Sequence, residues 1–218
     1  MCVSSQTSLV LFVSGCVGSL TLLYNTRNLK YLSILFTILM QLGEYLMWTD
    51  IESGGKYPNL NIIGNYIGIL SLFLQTSGLS IIMPKKYGLF IIIPNALYYS
   101  FITVLYTKKL LKNKNDALSK VGKSNTLSWA SFLYPLSWLC LTLFIVSVIY
   151  NNIFYAFDSH IFHFKNYLHI LFHLFLIITS MKFIHSPQVY NFGSLYCFFG
   201  AIVICLFVIY ELFQHHFK

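Results

Sequence analysis

Glu44 is the residue in this sequence whose type and position most invite chemistry. It stands inside the apolar run Phe36-Thr-Ile-Leu-Met-Gln-Leu-Gly-Glu-Tyr-Leu-Met-Trp48, with no basic neighbour nearby in sequence. Gln41, Glu44 and Trp48 are spaced i, i+3 and i+7, which puts them on one face of a helix. Within a bilayer a carboxyl is costly unless it faces protein or a water-filled cavity. These residue types suit a proton, ion or ligand site. They suit equally a protonated glutamic acid that holds two helices together by interhelical hydrogen bonds. Gln75, deep in the next apolar run, is the expected partner of Glu44 from another helix.

A second constellation is His169-Ile-Leu-Phe-His173. Histidines at i and i+4 share a helix face and can reach one metal ion, but zinc takes three or four protein ligands. His160 and His163 just upstream, or Glu44 across the molecule, would have to complete the set. The simpler expectation is that both histidines hydrogen-bond neighbouring helices and that no metal or cofactor is bound. Zinc at His169 and His173 is the alternative. Asn65, Asn95 and Ser137 add one polar side chain each to other apolar runs and read as interhelical glue. Gly64 and Gly68, with the patch Ser14-Gly15 and Gly18-Ser19, predict close helix packing.

The elements that must position these residues follow from composition. Of 218 residues, 57% are hydrophobic and 9% charged. An ordinary soluble domain carries about 25% charged residues, so a soluble enzyme and a disordered chain are both excluded. Seven segments are long and apolar enough to span a bilayer: 8–24, 31–48, 62–83, 89–106, 134–150, 166–183 and 193–213. Barrel strands would alternate with period two instead. The expected fold is therefore all-α, a polytopic transmembrane helical bundle of about seven helices in a single integral membrane domain, residues 1–218. Residues 1–7 hold no Lys or Arg, while Arg27 and Lys30 follow the first run, as in a retained span rather than a cleaved signal.

Three connections are long. Residues 49–61 read as a turn-rich loop with Asp50 and Glu52, residues 151–165 as an aromatic loop, and residues 107–133 as a basic loop with six lysines. The formal charge of +8 sits mainly in such connections and points to anionic lipid headgroups as partner rather than nucleic acid, for which there is no compact basic domain. Seven crossings divide the fourteen Lys and Arg residues six against eight, which sets no orientation under the positive-inside rule. If segment 89–106, which holds Pro94 and Asn95, were re-entrant, the division would be eleven against three. Five cysteines without a CxxC pair read as small buried hydrophobes.

The run Met40-Gln41-Leu-Gly-Glu44-Tyr45-Leu-Met-Trp48-Thr-Asp50 resembles the signature of a multi-pass membrane family of giant DNA viruses and algae, in which a Gln-x-x-Glu-aromatic-x-x-Trp helix precedes an acidic, Asn-containing loop. Asp50 with Asn59 or Asn61 would match that loop, and Gly193-Ser194-Leu195-Tyr196-Cys197 resembles a second element of the family, with Tyr in place of Trp. The resemblance implies membership, and a host-cell or virion membrane, without implying an activity. The histidine pair is also similar to the helix motif of the alkaline ceramidase and adiponectin-receptor hydrolases. Those need a further histidine on an early helix and an aspartate within a span, whereas all seven histidines here lie at or after position 160. Retinal binding would need a lysine midway along the last segment, and 193–213 contains none. The expectation is a membrane-embedded binding or interaction protein rather than an enzyme, with a zinc-dependent membrane hydrolase as the alternative.

Overall fold

Punctuation residues set where the helices begin and end. Ser4 caps the first, its hydroxyl accepting from the Thr7 N–H at 3.3 Å. At the other end Arg27 adopts a left-handed conformation (φ 55°) and returns its N–H to the Leu23 carbonyl at 2.9 Å. Gly54 and Gly55, both with positive φ, make the turn before the next pair, and Pro58 opens the following helix where its missing N–H costs nothing. The computed structural model describes residues 4–82, 88–121, 127–128, 209 and 213. In them the long helices are α1 (Ser5–Thr26), α2 (Leu32–Glu52), α3 (Pro58–Ile82) and α4 (Leu89–Lys112). A single 3-10 turn, Leu29–Tyr31, leads into α2. One-turn α5 (Lys114–Ala117) and the strands β1 (Lys120–Val121) and β2 (Leu127–Ser128) complete the set.

The protein is thus mostly helical over its described residues, and the first four apolar segments are all helices. The first runs past both expected ends, α2 and α4 run past their C-terminal ends, and α3 begins four residues early. The loop expected over 49–61 shrinks to 53–57, because Asp50 and Glu52 belong to the last turn of α2. The basic loop expected from 107 begins as helix up to Lys112 and continues into a small hairpin, with Lys120 opposite Ser128. The re-entrant alternative for the fourth segment is corrected. A chain that enters and leaves on one side must reverse within the segment, and α4 is one unbroken helix, roughly 36 Å long at about 1.5 Å per residue. Pro94 lies six residues in, so it removes only the bond to the Phe90 carbonyl, while the Asn95 amide donates to Ile91 O at 3.0 Å one turn back. Of the segments 134–150, 166–183 and 193–213, only Ile209 and Phe213, both helical, fall within the described residues.

Each long helix packs antiparallel on its sequence neighbour, so α1 to α4 form an open row. On the α1–α2 seam, Leu22 meets Tyr31, Ile34 and Ile38, and Gly15 leaves room for Ile38. The α2–α3 seam is the tightest. A Cβ on Gly43 would come within 2.8 Å of the Gly64 carbonyl oxygen, and one on Gly64 within 2.6 Å of the Gly43 oxygen. The two backbones touch there, as small residues permit. Gly68 flanks that crossing, and Gly78 makes room for Phe36 further along. The seam between α3 and α4 is aromatic instead, with Tyr66 edge-on to Tyr106 at 5.0 Å and Phe73 edge-on to Tyr99 at 6.2 Å. Among the described residues, α1 and α4 are long and apolar enough to cross a membrane.

Candidate functional site

Gln41, Glu44 and Trp48 lie on α2 as the spacing predicts, and they share a face. Going round α2 at about 100° per residue, Ile34 and Ile38 meet α1 while Gly43 and Met47 meet α3. Thr37, Gln41, Glu44 and Trp48 project between those two seams. Gln41 and Glu44 are fully buried, and Trp48 is 5% exposed. Thr37, Gln41 and Glu44 each make interactions of their own. The indole N–H of Trp48 donates to no group among the described residues, although it is shielded from solvent. This face therefore concentrates one carboxyl, one amide and one indole N–H within about two turns of a single helix, a set able to bind a proton or a small polar ligand.

Gln75 does not belong to it. Its Nε2 donates to Ser71 Oγ at 3.1 Å, and Ser71 Oγ in turn donates to the Phe36 carbonyl of α2 at 2.7 Å. That chain ties α3 to α2 near Phe36, eight residues from Glu44 and so roughly 12 Å along the axis. The expected Gln75–Glu44 pair is not formed, because burial depth read along a sequence does not give the level at which two helices meet. His169 and His173 lie outside the described residues, as do His160, His163 and Ser137. No group of three His, Cys, Asp or Glu residues suited to a metal occurs among the described residues.

A second polar cluster, not foreseen as a unit, lies at the end of the row where α2 finishes and α3 begins. The buried Asp50 carboxylate accepts from the Tyr57 N–H at 2.9 Å and from Asn61 Nδ2 at 3.1 Å. The same Asn61 Nδ2 donates to the Ser119 carbonyl at 3.0 Å, and Asn61 Oδ1 accepts the Ser119 N–H at 2.9 Å. Asn65 Nδ2 donates to Asn61 Oδ1 at 3.0 Å and to Asn61 O at 2.9 Å, while Asn65 Oδ1 accepts from Ser119 Oγ at 3.0 Å. Every amide hydrogen and lone pair of the Asn61 side chain is used. The sequence signal was the Asn61-x-x-x-Asn65 spacing, which puts two carboxamides on one helix face. Its meaning stayed hidden because Ser119 is 58 residues away from Asn61.

This end is held further by Glu52, which accepts from the backbone N–H of Ser5 at 2.9 Å and from its hydroxyl at 2.5 Å. Lys114 Nζ donates to Asn59 Oδ1 at 3.1 Å, and Tyr66 bonds Thr107 through their hydroxyls at 2.9 Å. The network joins α2, α3 and the segment after α4. Its chemistry is that of a structural lock, whereas on the α2 face the Trp48 N–H has no partner among the described residues. Among known proteins, no family model, no curated protein and no solved structure matches this chain.

Proposed function

We propose that this protein is a polytopic α-helical integral membrane protein, of about seven helices, that binds a proton or small polar ligand at the α2 face formed by Gln41, Glu44 and Trp48. The observation that carries the reading is the complete burial of Glu44 within a row of long helices. The outer helices support the bilayer part. Only 28% of the most apolar stretch of α1, and the same share of α4, is buried, less than in a core helix of a soluble protein. Val10, Val17 and Tyr24 of α1, and Phe90, Leu97 and Phe101 of α4, are instead exposed. Apolar faces of this length suit lipid. The resemblance to the giant-virus and algal family rests on the same helix, and the proposal extends to that grouping.

Infrared difference spectroscopy of the reconstituted protein, taken from mildly acidic to mildly alkaline pH, tests the site. A carboxyl band that titrates over this range and is lost in Glu44→Gln, with the variant still folded, supports it. If Glu44 keeps one protonation state throughout and Glu44→Gln melts with the parent, the residue is a fixed contact and the site reading fails.

A further inference from the structure

The end of the row locked by Asn61 also collects positive charge from two separate connections. Lys56 stands in the turn between α2 and α3, while Lys108 and Lys112 stand on the last turns of α4. Lys114 reaches Asn59 at the start of α3, and Lys120 follows Ser119, which is bonded to Asn61 and Asn65. All five are exposed. The acidic groups of this end are engaged elsewhere: Asp50 with Tyr57 and Asn61, Glu52 with Ser5, and Asp116 with the Asn113 amide at 2.7 Å. Arg27, stacked on Tyr24, lies at the opposite end.

Two further observations say what this surface meets. Leu111 is 82% exposed between Lys108 and Lys112, and Tyr57 is 53% exposed beside Lys56. Large apolar side chains set among lysines are unfavourable in open water and suited to the boundary between headgroups and acyl chains. Helix length agrees. About 20 residues cross the hydrocarbon, so a span starting at Leu89 ends close to Lys108, and the lysines beyond it emerge at headgroup depth.

We propose that this end of the molecule docks anionic lipid headgroups of its own membrane, through Lys56, Lys108, Lys112, Lys114 and Lys120. Leu111 and Tyr57 seat beside them at the acyl boundary. The Ser119–Asn61–Asn65 bonds fix the segment that carries Lys114 and Lys120, so the charges are presented by a held surface rather than a loose tail. The inference rests on the membrane-spanning reading above and deepens it by naming the lipid class.

The test is electron spin resonance of the full chain reconstituted in phosphatidylcholine, with trace spin-labelled phosphatidylserine or phosphatidylcholine. Phosphatidylserine is expected to show the higher association constant in the motion-restricted fraction at low salt, with the excess falling as salt screens it. Combined Lys108→Gln, Lys112→Gln and Lys120→Gln is expected to remove most of that excess, by up to about fivefold per lysine. Arg27→Gln at the other end is expected to leave it unchanged. Equal constants for the two lipids, or a ratio unaltered by the triple substitution, overturns the docking proposal while leaving the spanning helices in place. Absence of any motion-restricted lipid, from either label, removes the bilayer reading and the proposal with it.

Discussion

At the scale of single residues, the sharpest consequences fall on Asn61. Its side chain satisfies a buried carboxylate oxygen, a carbonyl and an N–H at once. Leaving such groups without partners costs about 1–3 kcal/mol each, so Asn61→Ala is expected to lower stability by about 3 kcal/mol or more. Asn61→Asp keeps the shape but sets a second carboxyl against Asp50. It is expected to melt at least as early as the alanine variant, and adding Asp50→Asn is expected to recover much of the loss. Thermal melts in detergent read all three. If Asn61→Asp melted with the parent, the donor role of Nδ2 would be refuted. Glu44, Gln41 and Trp48 were legible in the sequence because their relation lies along one helix, where spacing fixes the face. The Asp50 cluster was not, since no periodicity connects Ser119 to Asn61.

At the scale of elements, the first four helices could be read from apolar length, and their ends could not. Ser4, Arg27 and Pro58 act through local geometry that hydropathy does not register, which is why α1 outruns both its expected ends and α3 begins before its expected start. Gly64 and Gly68 were legible as a packing surface, and the structure supplies their counterpart, Gly43. A side chain on Gly64 must displace the α2 backbone as well as the Met47 side chain. Gly64→Val is therefore expected to cost about 1–3 kcal/mol and to lower the melting temperature. Gly54→Ala is a useful contrast: nothing crowds that position, and only its φ of 74° opposes a side chain, so the expected loss is about 1 kcal/mol. A Gly64→Val variant that melts no earlier than Gly54→Ala would contradict the close crossing.

At the scale of the whole molecule, the row fixes which connections share an end. Lys56 and Lys112 lie at one end and Arg27 at the other. With native cysteines replaced, cysteines at 56 and 112 are expected to react from the same side of a sealed vesicle, and a cysteine at 27 from the opposite side. Labelling of 56 and 112 from opposite sides would break the antiparallel order of α3 and α4. The row also bears on how the chain acquires its shape. Because every long helix meets chiefly its sequence neighbour, contacts are local, and each hairpin can close as soon as its second helix has been made. Two contacts seal the row: Ser5 with Glu52, 47 residues apart, once α2 is complete, and Ser119 with Asn61, 58 apart, only after α4 has been made. Both fall at the same end. That end is the last of the described part to be sealed during synthesis, and until Ser119 arrives Asn61 and Asn65 must find other partners.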